Sequence, residues 1–548
     1  MRGMMMNVPL LISSILKHAV ENHGDTEIVS RATEGGIHRY TYFDLDQRSK
    51  KLANALQRMG LKSGDRVGTL AWNGYRHMEL YYGVSCSGFI CHTINPRLFH
   101  DQIAYIVNHA DDSVIFVDLT FVPILEAIAP KIENVRAIVV LTDEANMPRS
   151  AILPNLLCYE DLIAPESEAF DWPELDENTA SGLCYTSGTT SDPKGVLYSH
   201  RSSVLHALTS CLPEIFGFTV CDVITPVVPM FHVNAWGIPF SALIVGAKLV
   251  MPGANLDGAS LYSLFESEGV TIAGGVPTVW MALLDWVDAN AQSLSSLQRI
   301  AVGGSAPPLD MINRFQSRNI LVRHAWGMTE TSPIGLVSAK LPKHQNLSSE
   351  KQALNLTKQG RPIYGVEIRV DGADGKPIPR DGKAMGNLLV RGPWIASDYF
   401  NSRQNSTHED NGWFDTNDVV TVDADNIVQI VDRTKDLIKS GGEWISSIEL
   451  ENIAQAHPSI KEAAAVAKLD QRWGERPVLV VQLQPDALFT HDDMVSLFSG
   501  KVGKWSIPDE VIIVDELPHN ATGKLLKSAI RELVTIRLAG KADAADDD

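Results

Sequence analysis

The chain is poor in cysteine, with six in 548 residues, and none of them falls in a Cys-x-x-Cys or Cys/His spacing. Cys86, Cys91, Cys158, Cys184, Cys211 and Cys221 lie scattered in largely apolar surroundings. That excludes a disulfide framework and a cysteine-based metal knuckle, and reads as reduced thiols in a cytoplasmic protein. No run of about 18 apolar residues occurs, so no membrane span is expected. The apolar stretch 9–16 comes nearest to a signal peptide, but Lys17 and His18 follow at once with no small-residue cleavage site. A short amphipathic helix is expected there instead. Positive charge is scarce too: 47 Lys and Arg stand against 66 Asp and Glu, a net charge of −19. This argues against nucleic acid or an anionic membrane as the main partner, and an anionic substrate would need a locally basic site. No repeat with a period of 20–50 residues is visible.

What is present is ordinary globular composition, 45% hydrophobic and 21% charged, in a length that suggests about three or four folding units. From residue 40 onward helical and strand patterns alternate, the rhythm of a mostly parallel sheet covered by helices. Leu45, Leu52, Ala55, Leu56 and Met59 share one helix face, Gly60 ends that helix, and 67–71 reads as a buried strand. A second α/β block runs from about 200 to 335, with strands near 222–227, 247–251, 270–275 and 299–304. Two of these end in glycine pairs, a pattern that lets backbone approach a ligand closely. From about 350 to 434 the segments are short and turn-bounded, as in a small antiparallel β subdomain. Residues 435–538 read as a separate α+β domain, and 539–548 as a disordered acidic tail.

The densest chemistry lies in Tyr185-Thr186-Ser187-Gly188-Thr189-Thr190-Ser191-Asp192-Pro193-Lys194-Gly195. A strand ends before it and a return strand, 196–200, follows. Such a hairpin loop can aim backbone N–H groups and hydroxyls at phosphate oxygens, with Lys194 as a point charge. It is not a Walker loop, which needs Gly-Lys-Ser/Thr opening a helix. A plain surface turn is the alternative reading. Five further strings stand in order behind it: Pro229–Gly237 with His232 and Trp236; Gly303-Gly304-Ser305-Ala306; Ala325-Trp326-Gly327-Met328-Thr329-Glu330-Thr331; Gly412–Asp418 with Arg433 beyond; and Lys439-Ser440-Gly441-Gly442-Glu443-Trp444. Leu517–Lys527, carrying Lys524, closes the series. Singly each has a bland reading: a satisfied core histidine, an exposed Thr-Glu turn, a solvated β-turn.

Together, in this order across nearly the whole chain, these strings resemble the adenylate-forming superfamily of acyl-CoA synthetases, peptide-synthetase adenylation domains and firefly-type luciferases. The resemblance implies an α/β fold with a large N-terminal domain (1–434) of two α/β subdomains plus a small β-barrel-like subdomain, and a mobile C-terminal α+β domain. It implies that Thr186, Ser187, Gly188, Thr189, Thr190 and Lys194 hold the β/γ-phosphates of ATP. Gly304, Ser305, Ala306, Ala325, Trp326, Gly327 and Met328 would line the nucleotide site. Thr329 would touch the α-phosphate, Glu330 and Thr189 would hold Mg²⁺, and Asp418 and Arg433 would bind ribose. Asn417 departs from the glycine usual there, but asparagine tolerates positive φ. The acyl pocket is implied at His232, Trp236, Gly303 and Pro333, and a hinge at Lys435. Lys524 is implied as the adenylation lysine; Lys439, Gly441, Gly442, Glu443 and Trp444 as the loop serving coenzyme A.

The opening strings 9–14 and 24–31 resemble the subgroup acting on medium-chain fatty acids and 3-methylmercaptopropionate. The expected partners are a small carboxylic acid, ATP and coenzyme A, and a homodimer is compatible with these readings. Two other classes stay open. One is an adenylation enzyme loading a carrier protein, disfavoured because too few residues follow Lys524 for a carrier domain. The other is a non-catalytic nucleotide sensor, disfavoured by the intact Lys194, Glu330 and Lys524.

Overall fold

The computed structural model describes residues 1, 3–153, 155–186, 192–338, 340–402, 412–441, 443–519 and 525–545, with 539–545 as backbone only. Contacts divide the chain into two compact units: Met1–Thr186, Pro193–Ile368 and Val390–Phe414 form the first, and the second is built from Arg369–Leu389 and Asp415–Asp548.

The first unit contains two large sheets. One has seven strands in the order Leu156–Cys158, Ala137–Val140, Asp112–Val117, Arg66–Leu70, Ile90–Thr93, Ala180–Tyr185, Gly195–Ser199. All pairs are parallel except the last, which is the antiparallel hairpin expected around the 185–195 string. The helix Tyr42–Arg58 starts on a capping box in which Thr41 and Asp44 satisfy each other's backbone N–H groups, and it buries the apolar face read from the sequence. The other sheet has nine strands, with Val223–Pro226, Lys248–Met251, Ile272–Gly275, Arg299–Val302 and Leu321–Gly327 at its parallel centre. Its packed face is a core around Trp280, Phe265 and Phe315.

The amino-terminal hairpin, Glu27–Arg31 and Ile37–Thr41, joins this second sheet, Glu27–Arg31 lying parallel to Lys248–Met251. Linear reading assigns the hairpin to no block, because a strand pair more than 200 residues apart in sequence leaves no local signature. The stretch after 350 also differs from expectation. It opens with a helix, Ser349–Thr357, capped by the Ser348 hydroxyl and packed through Ala353 and Leu356 into the nine-stranded core.

A four-stranded sheet, most of it in the second unit, runs Glu367–Asp371, Met385–Arg391, Phe414–Val422, Val428–Arg433. A five-stranded sheet follows, centred on the long pair Ile460–Asp470 and Gly474–Leu483. Period-two alternation places its side chains in two cores. Ala463, Ala465, Leu479 and Val481 pack on one face under the helix Ser447–Gln455, whose Leu450 and Ala454 enter that core; Ala464, Val466, Val478 and Val480 pack on the other under Ile530 and Val534.

The helix carrying Ile530 and Val534 spans Lys527–Ala545. It therefore continues past residue 538, where the sequence reading begins a disordered tail. An alanine-rich composition has enough helix propensity to extend an anchored helix despite its acidic residues. The compact unit also reaches back across 434/435, the expected boundary. Ser446 Oγ donates to Val431 O at 2.6 Å, and Ser447 N and Oγ donate to Asp432 Oδ2 at 2.5 and 2.6 Å. These bonds tie the end of the small sheet to the first helix behind it. No helix among the described residues is long and apolar enough to cross a membrane.

Candidate functional site

In the first unit the two ends of the 185–195 string, Tyr185–Thr186 and Lys194–Gly195, are zipped to each other. Tyr185 pairs with Gly195, Thr186 N donates to Lys194 O at 2.9 Å, and Lys194 N donates to Thr186 Oγ1 at 3.1 Å. Tyr185 is steadied from outside by His109, whose Nδ1 lies 2.7 Å from the phenol oxygen. Ser187, Gly188, Thr189 and Thr190 lie outside the described residues.

The Thr329-Glu330-Thr331 turn follows the strand Leu321–Gly327 and is buried. Gly327 makes the approach to this turn possible: a Cβ there would sit 1.7 Å from the Pro333 carbonyl oxygen. Three bonds fix the turn from other elements. Tyr198 Oη donates to Thr329 O at 2.7 Å, Ala396 N donates to Glu330 O at 2.8 Å, and Tyr399 Oη donates to Glu330 Oε1 at 2.6 Å. Burial raises the Tyr198 phenol well above its ordinary pKa and keeps it a donor. Lys194 Nζ lies 4.8 Å from the centroid of the Tyr399 ring. One tyrosine thus touches both the acidic and the basic group singled out from the sequence.

Glu330, 5% exposed, offers a hard oxygen donor. Among the described residues no group of three or more His, Cys, Asp or Glu forms a metal cluster. A buried carboxylate suits Mg²⁺, which commonly takes one or two carboxylates and draws its other ligands from phosphate and water.

The Gly303–Ala306 turn leaves Gly304, Ser305 and Ala306 exposed, with Gly304 at φ +82°. Gly303 has a side-chain neighbour that its glycine pair does not announce. A Cβ on Gly303 would lie 2.9 Å from the Trp236 ring and 3.0 Å from Ala325 O. Gly275, in the other pair, faces Trp280 in the same way, at 2.8 Å. Both absences of a side chain make room for tryptophan.

Trp236 itself sits in an unusual backbone. Val233, Asn234, Ala235, Trp236 and Gly237 have φ of 45, 51, 48, 57 and 73°, a full left-handed turn. Each non-glycine residue there costs about 1–2 kcal/mol, so surrounding bonds must hold the segment. Asn73 receives Met230 N at 2.7 Å and donates to Pro226 O and Val228 O at 2.7 and 2.9 Å. Tyr81 Oη contacts Met230 O at 2.5 Å and Asn234 Oδ1 at 3.2 Å. His206 fills the space beside Gly237 and accepts from Ile334 N, next to Pro333, at 3.3 Å through Nε2. Burial lowers the His206 pKa to about 3, leaving a neutral imidazole. The fold brings Trp236 onto Gly303 and links the turn to the Pro333 region through His206. His232, half-buried, precedes the turn.

In the second unit Asp418 and Arg433 are cross-strand neighbours, with Arg433 Nε 2.7 Å from Asp418 Oδ1. Asn417 adopts φ +58° and Thr434 N donates to its carbonyl at 2.9 Å, so asparagine supplies the left-handed position. Lys435 is exposed, and its carbonyl accepts from Arg531 Nη2 at 3.0 Å; Arg531 also pairs with Asp436. Lys439 pairs with Trp444, and Ser440 with Glu443, in a tight hairpin. Gly441, at φ +60°, donates its N–H to Trp473 O at 2.8 Å, and a Cβ there would meet the Trp473 ring at 2.7 Å. Lys439 N donates to Glu475 Oε2 at 2.7 Å. The hairpin is therefore lashed to the Arg472–Gly474 turn rather than standing in solvent as a plain turn. Gly442 and Lys524 lie outside the described residues. The flanks of Lys524 are held: His519 bridges to Leu525, His519 Nε2 lies 2.8 Å from Glu462 Oε1, and Lys527 Nζ lies 2.8 Å from Glu451 Oε1.

Residues 16–400 match the model of the AMP-binding enzyme family and residues 449–524 that of the AMP-binding enzyme C-terminal domain. The chain belongs to the AMP-binding enzyme family. It is 50% identical over 533 residues to a medium-chain-fatty-acid–CoA ligase of Ectopseudomonas oleovorans, covering 97% of each chain. It is 47% identical over 541 residues to a 3-methylmercaptopropionyl-CoA ligase of Ruegeria lacuscaerulensis, covering 98% of this chain and 100% of that one. Among solved structures, an anthranilate CoA ligase in complex with anthranoyl-AMP superposes with a TM-score of 0.84 at 23% identity, over 97% of this chain and 99% of that one. At that identity the likeness is one of fold. Within this AMP-binding enzyme, Tyr399, Tyr198, His206 and Trp473 are the site neighbours that sequence reasoning passed over. Each acts across a long sequence separation, and none sits in a string with a chemistry of its own.

Proposed function

We propose that the protein is an AMP-forming acyl-CoA ligase, converting a carboxylic acid, ATP and coenzyme A into acyl-CoA, AMP and pyrophosphate. The observation that carries this reading is the near full-length identity to two CoA ligases at 50% and 47%. The convergence of Lys194 and Glu330 on Tyr399 supports it. In the first half-reaction a carboxylate oxygen attacks the α-phosphorus and the bond to the bridging oxygen breaks, releasing pyrophosphate. Two anions must meet, so placed positive charge is the main requirement. Lys524 supplies it between carboxylate and α-phosphate, and Lys194 with the 186–190 segment holds the outer phosphates. Thr329 meets the α-phosphate, and Asp418 with Arg433 takes the ribose. Mg²⁺, held by Glu330 and Thr189, would neutralise charge on the phosphate oxygens. In the second half-reaction the coenzyme A thiolate attacks the acyl carbonyl, the carbon–oxygen bond to AMP breaks, and AMP leaves. The Lys439–Trp444 hairpin serves this step, and the segment around Lys435 is the pivot between the two.

The acid is read as short to medium in length and uncharged, with 3-methylmercaptopropionate the leading candidate. The lining proposed at His232, Trp236, Gly303 and Pro333 holds no Lys or Arg for a second carboxylate, and a thioether gains about 0.3–1.5 kcal/mol against an aromatic ring. The test is AMP release across a panel of carboxylic acids, with and without free coenzyme A. Thioester formation only on a carrier protein, or no AMP with any acid, refutes the proposal.

A further inference from the structure

Tyr399 lies outside every string that drew attention in the sequence, yet it contacts the two groups that the proposed function assigns to the cation and the outer phosphates. Its hydroxyl donates to Glu330 Oε1 at 2.6 Å, and its ring carries Lys194 Nζ at 4.8 Å. Its own backbone is fixed on either side. Ala396 N donates to Glu330 O, and Phe400 N donates to Gly195 O, each at 2.8 Å. Gly195 is the residue after Lys194, so the 396–400 segment is bonded to Glu330 itself and to the immediate neighbour of Lys194. Ala396 and Tyr399 also pack on the small core of Cys184, Val196 and Tyr198 beneath the hairpin.

We propose that Tyr399 is a positioning residue for nucleotide binding, orienting the Glu330 carboxylate through its hydroxyl and the Lys194 ammonium through its ring. The proposal rests on the reading of Glu330 as a Mg²⁺ ligand and Lys194 as a phosphate contact. A carboxylate has about four acceptor sites, so one phenol bond leaves capacity for a cation while limiting its rotation. Hydrogen-bonded partners of metal ligands typically change metal affinity by about 10- to 100-fold when removed. A cation over an aromatic face at an exposed site is a weaker hold, equivalent to about two- to fivefold in affinity. The hydroxyl and the ring therefore leave separable signatures.

The experiment is calorimetric titration of ATP into the full chain at a series of free Mg²⁺ concentrations, with no carboxylic acid or coenzyme A present. Melting temperature is recorded for each variant. Tyr399→Phe keeps the ring and loses the hydroxyl. It is expected to need about tenfold more Mg²⁺ for half of the gain in ATP affinity, while matching wild type with no Mg²⁺ present. Tyr399→Leu loses both, and is expected to bind ATP about two- to fivefold more weakly even without Mg²⁺. Glu330→Gln serves as the control for the underlying reading. If Glu330→Gln shifts the Mg²⁺ dependence and Tyr399→Phe does not, the positioning role is overturned and the Glu330 reading stands. An unshifted Glu330→Gln removes the Glu330 reading and the proposal with it. A loss of ATP affinity in Tyr399→Phe that is equal at every Mg²⁺ concentration, with a lowered melting temperature, shows a merely structural residue and also overturns it.

Discussion

Buried histidines, among them His77, His200, His206 and His324, make the first unit sensitive to mild acid, and His200 and His206 each accept a backbone N–H. His200 Nδ1 accepts from Ile12 N at 3.2 Å, and His206 Nε2 accepts from Ile334 N at 3.3 Å. Protonating either nitrogen would set two donors face to face inside the core. Burial, the dominant cause, lowers the His200 pKa from 6.5 to about 4 and that of His206 from 6.5 to about 3. The folded values lie below the unfolded ones, so the unfolded chain binds the extra protons and stability rises with pH across this window. The contribution is complete above about pH 6.5 and falls as pH drops toward 4 for His200 and 3 for His206. At pH 5.5, one unit below the unfolded value, each histidine favours unfolding by about 1.4 kcal/mol, and the pair by about 3 kcal/mol. His206→Gln keeps an acceptor for Ile334 N but cannot titrate. The assay is urea denaturation followed by tryptophan fluorescence at pH 7.5 and 5.5. The variant is expected to lose about 1.4 kcal/mol less than wild type between the two pH values, and His200→Gln/His206→Gln about 3 kcal/mol less. If the double variant loses as much stability as wild type, the neutral buried imidazoles do not control the acid sensitivity and the reasoning is wrong.

Three further outcomes concern the reaction. Lys524→Ala is expected to lose adenylation by about 3–4 kcal/mol of transition-state stabilisation, measured by pyrophosphate exchange, while still converting supplied acyl-adenylate and coenzyme A; equal loss in both halves would refute the assignment. Lys435→Pro, which fixes φ at the proposed pivot, is expected to retain acid-dependent pyrophosphate exchange and fail to form thioester; normal thioester synthesis would end the pivot reading. Trp236→Ala is expected to move the chain-length optimum of kcat/KM toward longer acids, at about 1–3 kcal/mol per accommodated methylene, and to destabilise the protein by about 3–5 kcal/mol. An optimum that stays in place would mean that the indole packs in the wall over Gly303 and sets no depth.

The parts of the fold that were legible in the sequence are those with a local physical signature. The Gly182–Tyr185 and Val196–Ser199 runs bracket a turn-forming string, and the structure closes them as an antiparallel hairpin. The Tyr42–Arg58 helix announces itself through its apolar face and the glycine that follows it. In the second unit 463–466 and 478–481 are continuous apolar runs, as strands buried on both faces require, and the structure packs them between two cores. The parts that were not legible depend on long-range contact. Glu27–Arg31 finds Lys248–Met251 only in the folded chain, and nothing local at the glycines 275 and 303 tells of Trp280 and Trp236, which pack against them. A glycine records that something comes close; it does not record what.

The same limit explains why the site's chemistry was easier to read than its support. Groups that meet a nucleotide must be particular residue types at particular spacings, so Lys194, Glu330, Asp418 and Arg433, the residues proposed for that role, stand out in strings. The groups that hold them need only reach, and many residues in many places can do that. Tyr198 and Tyr399 approach the Thr329-Glu330 turn from 131 and 69 residues away, and His206 reaches Ile334 across 128. Yet these supports decide whether the site works, because a left-handed turn of four non-glycine residues at 233–236 costs several kcal/mol, about 4–8 by the usual range. Asn73 and Tyr81 contribute bonds from the seven-stranded subdomain, and His206 and Gly303 shape the other side. Together they offset strain that the Phe231–Gly237 string could not bear as an isolated peptide. The wall proposed for the acyl pocket is therefore a property of the whole first unit, and if Trp236 sets acid specificity, substitutions at Asn73 or Tyr81, which sit in no recognisable string, are expected to alter it as well.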